Sequence, residues 1–309
     1  MKYIDLHCDS ATVASDRGYP LTNGNLHVNF EKLKKADCAA QCFAIFTDGA
    51  NARTNFENYL KFILKSMKES GIQLVNSFRC LISPLQSEPK AILTVENLGF
   101  TGGDTDKIVA LKDNVLMASL VWNNENCFGY PNLIFEGGIP DFSKCESRGL
   151  KQKGMEAVEL LDSLKIIVDV SHLSDGGTDE ILRDRKIPVV ASHSNAREIC
   201  PVSRNLTDGQ IRKIADCGGV IGVNFCKDFS GDGQPFELVE RHLKHIIKTG
   251  GEDVVAFGSD FDGIPTVKGL EGCEKMPPLI EYLEGRLGST VTQKLCFGNF
   301  ARVLKEVRP

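Results

Sequence analysis

Short hydrophobic runs recur along the chain and predict eight β-strands. The runs are rich in Val, Ile and Ala and are mostly continuous, which is typical of parallel strands that are covered on both faces. The predicted strands are residues 3–7, 39–46, 91–95, 115–121, 166–170, 188–192, 219–223 and 254–258.

Segments with helical spacing of apolar residues lie between the strands. They are residues 54–71, 147–165, 174–186, 206–219 and 235–251, followed by one or two closing helices near the C-terminus. Gly71 is a predicted C-cap, and Ser174 and Thr207 are predicted N-caps. Strands that alternate with helices predict a single (β/α)8 barrel of the TIM type. A doubly wound sheet is the alternative, but it usually has a Gly-rich fingerprint where this chain has "DLHCDS".

Three connections are longer than simple turns and are expected to shape a pocket. They are residues 10–36, 123–147 and 225–236. No internal repeat, low-complexity tract or linker divides the sequence. We therefore predict one domain over residues 1–309.

Composition limits the classes of function. The net charge of -5 argues against a nucleic-acid partner, since phosphate binding needs a concentrated basic face. The eleven cysteines are dispersed, many of them in apolar runs, which predicts reduced and largely buried thiols. No signal-peptide pattern and no apolar run of membrane-spanning length is visible, so we expect a cytoplasmic protein without membrane attachment.

Metal-binding or proton-transferring side chains follow five of the predicted strands. In a (β/α)8 barrel the carboxyl ends of the strands form the active-site face, so we expect these side chains to converge. They are His7 and Asp9 after the first strand, Glu96 after the third, His172 after the fifth, His193 after the sixth, and Asp260 and Asp262 after the eighth.

The spacing of these residues is consistent with two metal ions. His7 and Asp9 are two apart on an extended backbone and point to the same side, while Cys8 points into packing. His172 and His193 come from neighbouring strands, and Glu96 lies between the two groups. Imidazole and carboxylate ligands suit zinc, and two ions about 3.5–4 Å apart can hold a bridging hydroxide.

The other histidines carry weaker signals. His242 and His245 lie three residues apart on a predicted surface helix, where a solvated face is favoured over a metal site. His27 lies in a long loop and receives no role. A single histidine at a strand end is also more often structural than a ligand, so the prediction depends on the whole set.

Six motifs in order carry a resemblance to a known family. They are His7-x-Asp9, Val95-Glu96-Asn97, Asp169-Val170-Ser171-His172, Ser192-His193-Ser194, Ser203-Arg204-Asn205 and Gly258-Ser259-Asp260-Phe261-Asp262-Gly263. Together they resemble the membrane (renal) dipeptidase family, which are dizinc peptidases of the amidohydrolase-like barrel group. The resemblance runs from residue 4 to about Val303.

The resemblance implies a role for each matched residue. His7 and Asp9 would hold one Zn²⁺, His172 and His193 the other, and Glu96 would bridge both. Asp260 would handle the proton of the bridging water. Arg204 would clamp the substrate carboxylate, for which a planar guanidinium is well shaped, and Asn205 is placed beside it in substrate binding.

One position departs from the family pattern. Mammalian members have a histidine after the fourth strand that contacts the developing oxyanion, whereas this chain has "SLVWNNEN" with Trp122 at that place. Either Trp122 or Asn123 takes over this role, or zinc alone polarises the carbonyl.

The predicted function is therefore a zinc-dependent dipeptidase that cleaves L-Xaa-L-Xaa or L-Xaa-D-Xaa dipeptides by a metal-bridging hydroxide. Manganese or cobalt could occupy the same ligands, and a homodimer is common among relatives. The alternatives are an N-acyl-amino-acid deacylase, a lactonase or a β-lactam hydrolase. The remaining hypotheses are a non-catalytic metal-binding module and a barrel in which these groups have a purely structural role.

Overall fold

The computed structural model describes residues 1–84 and 89–309. It contains ten strands: β1 (Tyr3–Asp5), β2 (Cys38–Phe46), β3 (Lys90–Glu96), β4 (Val115–Ser119), β5 (Ile134–Glu136), β6 (Ile139–Asp141), β7 (Ile167–Asp169), β8 (Val190–Ala191), β9 (Val220–Val223) and β10 (Val255–Phe257). Strands β5 and β6 form an antiparallel hairpin, and the other eight close a parallel barrel. The predicted (β/α)8 barrel is therefore confirmed.

The strands of the barrel follow the order β1-β10-β9-β8-β7-β4-β3-β2 around its circumference. The longest pairing joins β2 to β3, with a continuous parallel register from Ala40 opposite Lys90 to Phe46 opposite Glu96. All eight predicted strands are present, and their ends differ from the prediction by a few residues. Because all eight strands of the barrel are parallel, their carboxyl ends open onto one face, as the site prediction requires.

Helices connect and cover the strands. They are α1 (Ser10–Asp16), α2 (Phe30–Lys35), α3 (Ala52–Ser70), α4 (Phe78–Ile82), α5 (Thr105–Val109), α6 (Gln152–Ser163), α7 (Asp175–Ile181), α8 (Asp208–Asp216), α9 (Lys227–Ser230), α10 (Pro235–Gly250), α11 (Met276–Leu287), α12 (Ser289–Gln293) and α13 (Asn299–Val307). Gly71 ends α3 in the left-handed conformation with φ 67°, as predicted. The predicted N-caps are also confirmed: Ser174 accepts a hydrogen bond from Gly177 N, and Thr207 forms a full capping box with Gln210.

The apolar core lies in two layers. Alternate residues of the strands point outward and pack under the surrounding helices, and the others point into the barrel. Inward residues such as Ile4, Ile92 and Val220 share one cluster with Phe300 and Leu304 of α13. Asn299 and Arg302 of the same helix donate to backbone carbonyls around the starts of β9 and β10. The C-terminal helix therefore closes the end of the barrel opposite the predicted site.

The solvated position predicted for His242 is wrong. This side chain is fully buried, because it falls on the apolar stripe of α10 with Leu238 and Ile246. Its Nδ1 accepts a hydrogen bond from Ala196 N at 3.2 Å, and Nε2 donates to Ser230 O at 3.1 Å. Burial lowers the pKa of His242 to about 4, so the ring is a neutral structural link.

His245, three residues further along α10, is half-buried, and its Nε2 lies 2.7 Å from Asp208 Oδ1. No helix in the described parts of the chain is long and apolar enough to cross a bilayer.

Candidate metal centre and active-site cavity

The carboxyl ends of the strands bring the predicted ligands to one buried point. His7 Nε2 lies 3.5 Å from Asp9 Oδ2 and 3.5 Å from Glu96 Oε2. On the other side of Glu96, its Oε1 lies 2.9 Å from His172 Nε2 and 3.7 Å from His193 Nε2. The five predicted ligand side chains therefore lie in one cluster, with one oxygen of Glu96 facing each histidine group.

The order of the strands explains this arrangement. β1, which leads into His7 and Asp9, and β3, which ends in Glu96, are separated by β2 alone. His172 follows β7 and His193 follows β8, which are adjacent in the barrel. Cys8 lies in the hydrophobic core, so it faces away from the cluster.

Neighbouring side chains fix the tautomer of both histidines in the second group. Ser192 Oγ donates to Asp169 Oδ2 at 2.5 Å, and its single hydroxyl proton is then used. It can therefore only accept from His193 Nδ1, which lies 2.7 Å away. His172 Nδ1 likewise lies 2.8 Å from Asn123 Oδ1, an acceptor.

Both Nδ1 atoms thus carry the proton, and both Nε2 atoms present lone pairs. These two nitrogens, one from His172 and one from His193, face each other at 2.8 Å. Lone pairs that face each other at this distance repel unless a cation lies near them. Second-shell partners of this kind are what orient imidazole ligands in metal proteins.

Burial and neighbouring charges shift the pKa values of the ligand side chains. Burial lowers the pKa of His172 to about 4, with the positive charge of Arg204 adding to the effect, and burial and His7 hold the pKa of His193 well below its usual value. Burial also favours neutral His7, but Glu96 and Asp9 outweigh it and raise the pKa of His7. The pKa of Glu96 is lowered, because the attraction of His7 and His172 outweighs the cost of burial.

The donor set fits divalent metal ions. His7 Nε2 and Asp9 Oδ1 are buried and have no hydrogen-bond partner among the described residues. Two groups of mutually close donor atoms satisfy the spacing for a metal ion: His7 with Glu96 and His193, and His7 with Asp9 and Asp260. Imidazole nitrogen and carboxylate oxygen are the ligands that Zn²⁺ takes in catalytic sites. An unpaired buried donor is costly, and a bound cation would remove this cost.

Asp260 lies at the rim of the cluster. Its Oδ1 is 3.9 Å from His7 Nε2, and its Oδ2 accepts from Asn224 Nδ2 at 2.9 Å. Burial, reinforced by the charges of Asp9 and Glu96, raises the pKa of Asp260 to about 8. The residue has φ 63° and His172 has φ 69°, a strained conformation that is common at functional sites.

A glycine is required beside this carboxylate. A Cβ at Gly263 would lie 2.0 Å from Asp9 Oδ2 and 2.6 Å from Asp260 Oδ1. Asp262 lies between Asp260 and Gly263 in the sequence, but its side chain turns away from the cluster. It accepts hydrogen bonds from Ser10 Oγ and from the backbone N–H of His27. Asp262 therefore ties the loop after β10 to the connection after β1.

A cavity of about 620 Å³ lies over the cluster and is lined by Glu96, His172, Asp260 and Arg204, among others. The Arg204 side chain is only 2% exposed. Its Nε and Nη2 have no hydrogen-bond partner among the described residues, and Nη1 lies 3.5 Å from Ser194 Oγ. A buried guanidinium with free donors is a ready site for a carboxylate.

The other predicted substrate contacts divide into two groups. Trp122 and Asn123 line the cavity, and the Trp122 ring packs 4.6 Å from that of Phe46. Asn205 is not among the residues that line it. Its Nδ2 instead donates to the carbonyls of Cys200 and Phe229, at 2.9 Å each.

Sequence reasoning missed Asn224 and the hydroxyl partner of His193. Asn224 directly follows β9, so the same strand-end rule also predicts that it lies at the site. The link through Ser192 to Asp169 depends on side-chain geometry and leaves no comparable signal in the sequence.

Comparison with known proteins decides the family. The model of the membrane dipeptidase family, peptidase family M19, matches residues 1–309. The chain belongs to this family. Family membership makes it a hydrolase of the metallo-dipeptidase class, and the resemblance found in the sequence is confirmed.

Two relatives and two solved structures illustrate the relationship. The chain is 38% identical over 216 residues to an uncharacterized protein in the pqqA 5′ region of Klebsiella pneumoniae, covering 68% of this chain and 78% of that protein. It is 35% identical over 189 residues to an uncharacterized dipeptidase of Schizosaccharomyces pombe, covering 56% of this chain but 44% of that protein.

Among solved structures, the crystal structure of dipeptidase AC, an M19 metallopeptidase, superposes with a TM-score of 0.89 at 25% identity, covering 100% of this chain and 99% of that chain. A metallopeptidase from Rhodobacter sphaeroides, solved with a phosphinate mimic of the dipeptide L-Ala-D-Ala, gives a TM-score of 0.89 at 23% identity and covers 99% of both chains. The fold of this family member is therefore that of a solved M19 dipeptidase over its whole length.

Proposed function

We propose that this chain is a zinc-dependent dipeptidase that hydrolyses L-Xaa-L-Xaa and L-Xaa-D-Xaa dipeptides. The observation that carries the proposal is the convergence of His7, Asp9, Glu96, His172 and His193 below a cavity that also holds an unpartnered, buried Arg204. The first two side chains would hold one ion, the two later histidines the other, and Glu96 would contact both. Two bound zinc ions would supply the nucleophile, by lowering the pKa of a water molecule, and would polarise the peptide carbonyl.

The chain's own residues position the substrate and move the proton. Arg204 binds the free carboxylate through Nε and Nη2, which places the scissile bond over the cluster. In its ionised form, Asp260 takes a proton from the attacking water through the oxygen that faces His7 and delivers it to the leaving amine. Asn224 holds the other oxygen of Asp260 and so fixes the direction of this transfer.

The oxyanion donor is assigned to Asn123. Its Oδ1 is engaged by His172 Nδ1, which fixes the plane of the amide and leaves both Nδ2 protons for the cavity. The Trp122 ring packs against Phe46 and lies 6.3 Å from the His172 ring, which gives it the role of a wall.

A panel of amide substrates tests the function. We expect hydrolysis of L-Ala-L-Ala or L-Ala-D-Ala, and the latter is a sensible first substrate because the Rhodobacter sphaeroides structure holds a mimic of it. Asp260→Asn should abolish turnover while bound metal is retained. Cleavage of N-acyl amino acids, lactones or β-lactams without cleavage of any dipeptide would replace the proposed substrate and keep the metal site. A homodimer stays a prediction, which light scattering after gel filtration would check.

A further inference from the structure

Among the described residues, the lining of the cavity above the metal centre has its one guanidinium and two of its acids on opposite sides. Arg204 is the only Lys or Arg among the described residues that line it, and it follows β8. In the barrel order, β2 lies four strands from β8 in either direction, and is therefore diametrically opposite. Asp48 follows β2, and Asp16 ends α1, which follows the neighbouring β1. Both acids line the cavity on the side that faces Arg204.

Neutral partners hold both carboxylates in place. Asn124 Nδ2 donates to Asp48 Oδ2 at 2.8 Å, and the Tyr59 hydroxyl donates to Asp16 Oδ1 at 2.6 Å. Burial and the hydrogen bond to Asp16 raise the pKa of Tyr59 to about 12, so the phenol stays a donor. Neither acid has an ion-pair partner within the described ranges. Each carboxylate is therefore oriented by its neighbour while its charge is left for another group.

A third side chain on this wall has a free polar atom. Thr47 lines the same cavity, is only 2% exposed, and its Oγ1 has no hydrogen-bond partner among the described residues. A buried hydroxyl without a partner costs free energy unless a bound molecule satisfies it. The Thr47 hydroxyl thus points independently to a ligand beside Asp48.

The depth of the wall indicates which part of a substrate would reach it. Asp260 and Glu96 are buried at the base of the cavity, whereas Asp48 is half-buried and Asp16 is exposed at the outer rim. The α-ammonium group of a dipeptide is only two bonds from the scissile carbonyl carbon, so it stays near the base. A group that reaches the rim must stand at the end of a long side chain.

We propose that Thr47, Asp48 and Asp16 form a subsite for a positively charged side chain on the N-terminal residue of the substrate. The preferred substrates would then be dipeptides that begin with Lys or Arg, with the carboxylate on Arg204 and the cationic side chain on the opposite wall. The inference rests on the proposed dipeptidase function. A cavity of about 620 Å³ is within the range of roughly 300–1,000 Å³ that holds ligands larger than an unsubstituted dipeptide.

The test compares a charged substrate with a neutral one of similar shape. We would measure kcat/KM for L-Lys-L-Ala and for Nε-acetyl-L-Lys-L-Ala, which share the α-ammonium group and differ in the side-chain charge. Exposed charge pairs contribute a factor of a few each, so we expect a ratio of about 10 in favour of L-Lys-L-Ala for the unaltered protein. The ratio should fall as salt is raised, since the wall is open to solvent.

Substitutions locate the effect. Asp48→Asn should lower the ratio to about 3, and the double substitution Asp48→Asn with Asp16→Asn should bring it to about 1. Asp228→Asn is the matched control, because Asp228 lies in the same cavity but belongs to α9, after β9. It should leave the ratio near 10. An equal fall in the Asp228 variant would show that the field of the whole cavity is responsible, and would overturn the subsite.

The outcomes separate the subsite from the activity on which it rests. A ratio near 1 in the unaltered protein, with both dipeptides cleaved, overturns the subsite and keeps the dipeptidase. If both dipeptides are cleaved fast and Asp48→Asn lowers both rates equally, this acid binds the α-ammonium group. That outcome also overturns the side-chain assignment. If no dipeptide is cleaved, the proposed function fails. The ratio of the dissociation constants of the two dipeptides, measured by calorimetry, then still decides whether Thr47, Asp48 and Asp16 select the charged side chain.

Discussion

Removing one hydroxyl should weaken metal binding without touching any ligand. In Ser192→Ala the His193 Nδ1 proton loses its acceptor at 2.7 Å, and Asp169 Oδ2 loses its hydroxyl donor at 2.5 Å. Asp169 Oδ1 keeps the backbone donors of Ser171 and residue 192, so the carboxylate stays in place. The perturbation is therefore confined to the orientation and tautomer of one imidazole.

The magnitude follows from these two bonds. A buried hydrogen bond to a charged group is worth about 1.5–3 kcal/mol, so the free energy of unfolding of the metal-free protein should fall by about 2–3 kcal/mol. Loss of a second-shell partner typically costs about 10- to 100-fold in metal affinity, which corresponds to about 1.4–2.7 kcal/mol.

The chain offers a matched control. Ser259 Oγ donates to Asp5 Oδ2 at 2.5 Å, in an equally buried position, and it contacts the ligand residue His7 through the backbone carbonyl, at 3.2 Å, and not through the imidazole ring. Ser259→Ala should therefore show a similar loss in a denaturant titration, with zinc affinity changed less than about threefold. Zinc affinity would be measured by competition with a chromophoric chelator. If both variants lose the same affinity, the contact between Ser192 and the His193 ring has no specific role, and the reasoning is refuted.

Four further variants probe the cavity. Arg204→Met should raise KM about 100-fold for a dipeptide but have little effect on the corresponding dipeptide amide, and an equal loss for both would remove the carboxylate contact. In Gly263→Ala the new Cβ would displace Asp9 Oδ2. The variant should keep the circular dichroism spectrum of the folded protein but lose at least one metal ion per chain. Full metal content would contradict this. Trp122→Phe should change kcat less than about threefold, whereas Asn123→Ala should lower kcat about 100-fold with the metal retained. The reverse ranking would assign the oxyanion role to the Trp122 indole.

Much of the fold was predictable because parallel strands buried on both faces leave continuous apolar runs. All eight barrel strands carry this signal. The helix α11 was missed because its sequence begins "MPPL", and two prolines suggest a break, although they are tolerated in the first turn of a helix. The hairpin of β5 and β6 was missed because its strands are three residues long and partly exposed, without alternation.

The burial of His242 could have been predicted from the same kind of pattern. Counting in steps of four from Leu238 reaches His242 and Ile246, so the histidine lies on the apolar stripe of its helix. The charged neighbours Arg241 and Lys244 are exposed and lie on the other face of the same helix. The sequence shows which residue type stands at each position, and only the periodicity shows which face it occupies.

For the site, the strand-end rule predicts seven chemically active side chains at one face, and six of them lie in the cluster. The rule works because the carboxyl ends of parallel strands meet at one face whatever the sequence separation. It does not show which atoms are left without partners. The free Nε and Nη2 of Arg204 and the free Oγ1 of Thr47 follow from three-dimensional packing, as do the hydrogen bonds of the Asn205 amide to two backbone carbonyls.

We propose that five side chains at the strand ends hold two metal ions. The most direct test is the metal content of protein purified without chelator, measured by inductively coupled plasma mass spectrometry. We expect about two zinc ions per chain, and about one after His172→Ala combined with His193→Ala, with the fold retained. A folded protein that contains no metal, and takes up none when zinc is added back, would contradict the account.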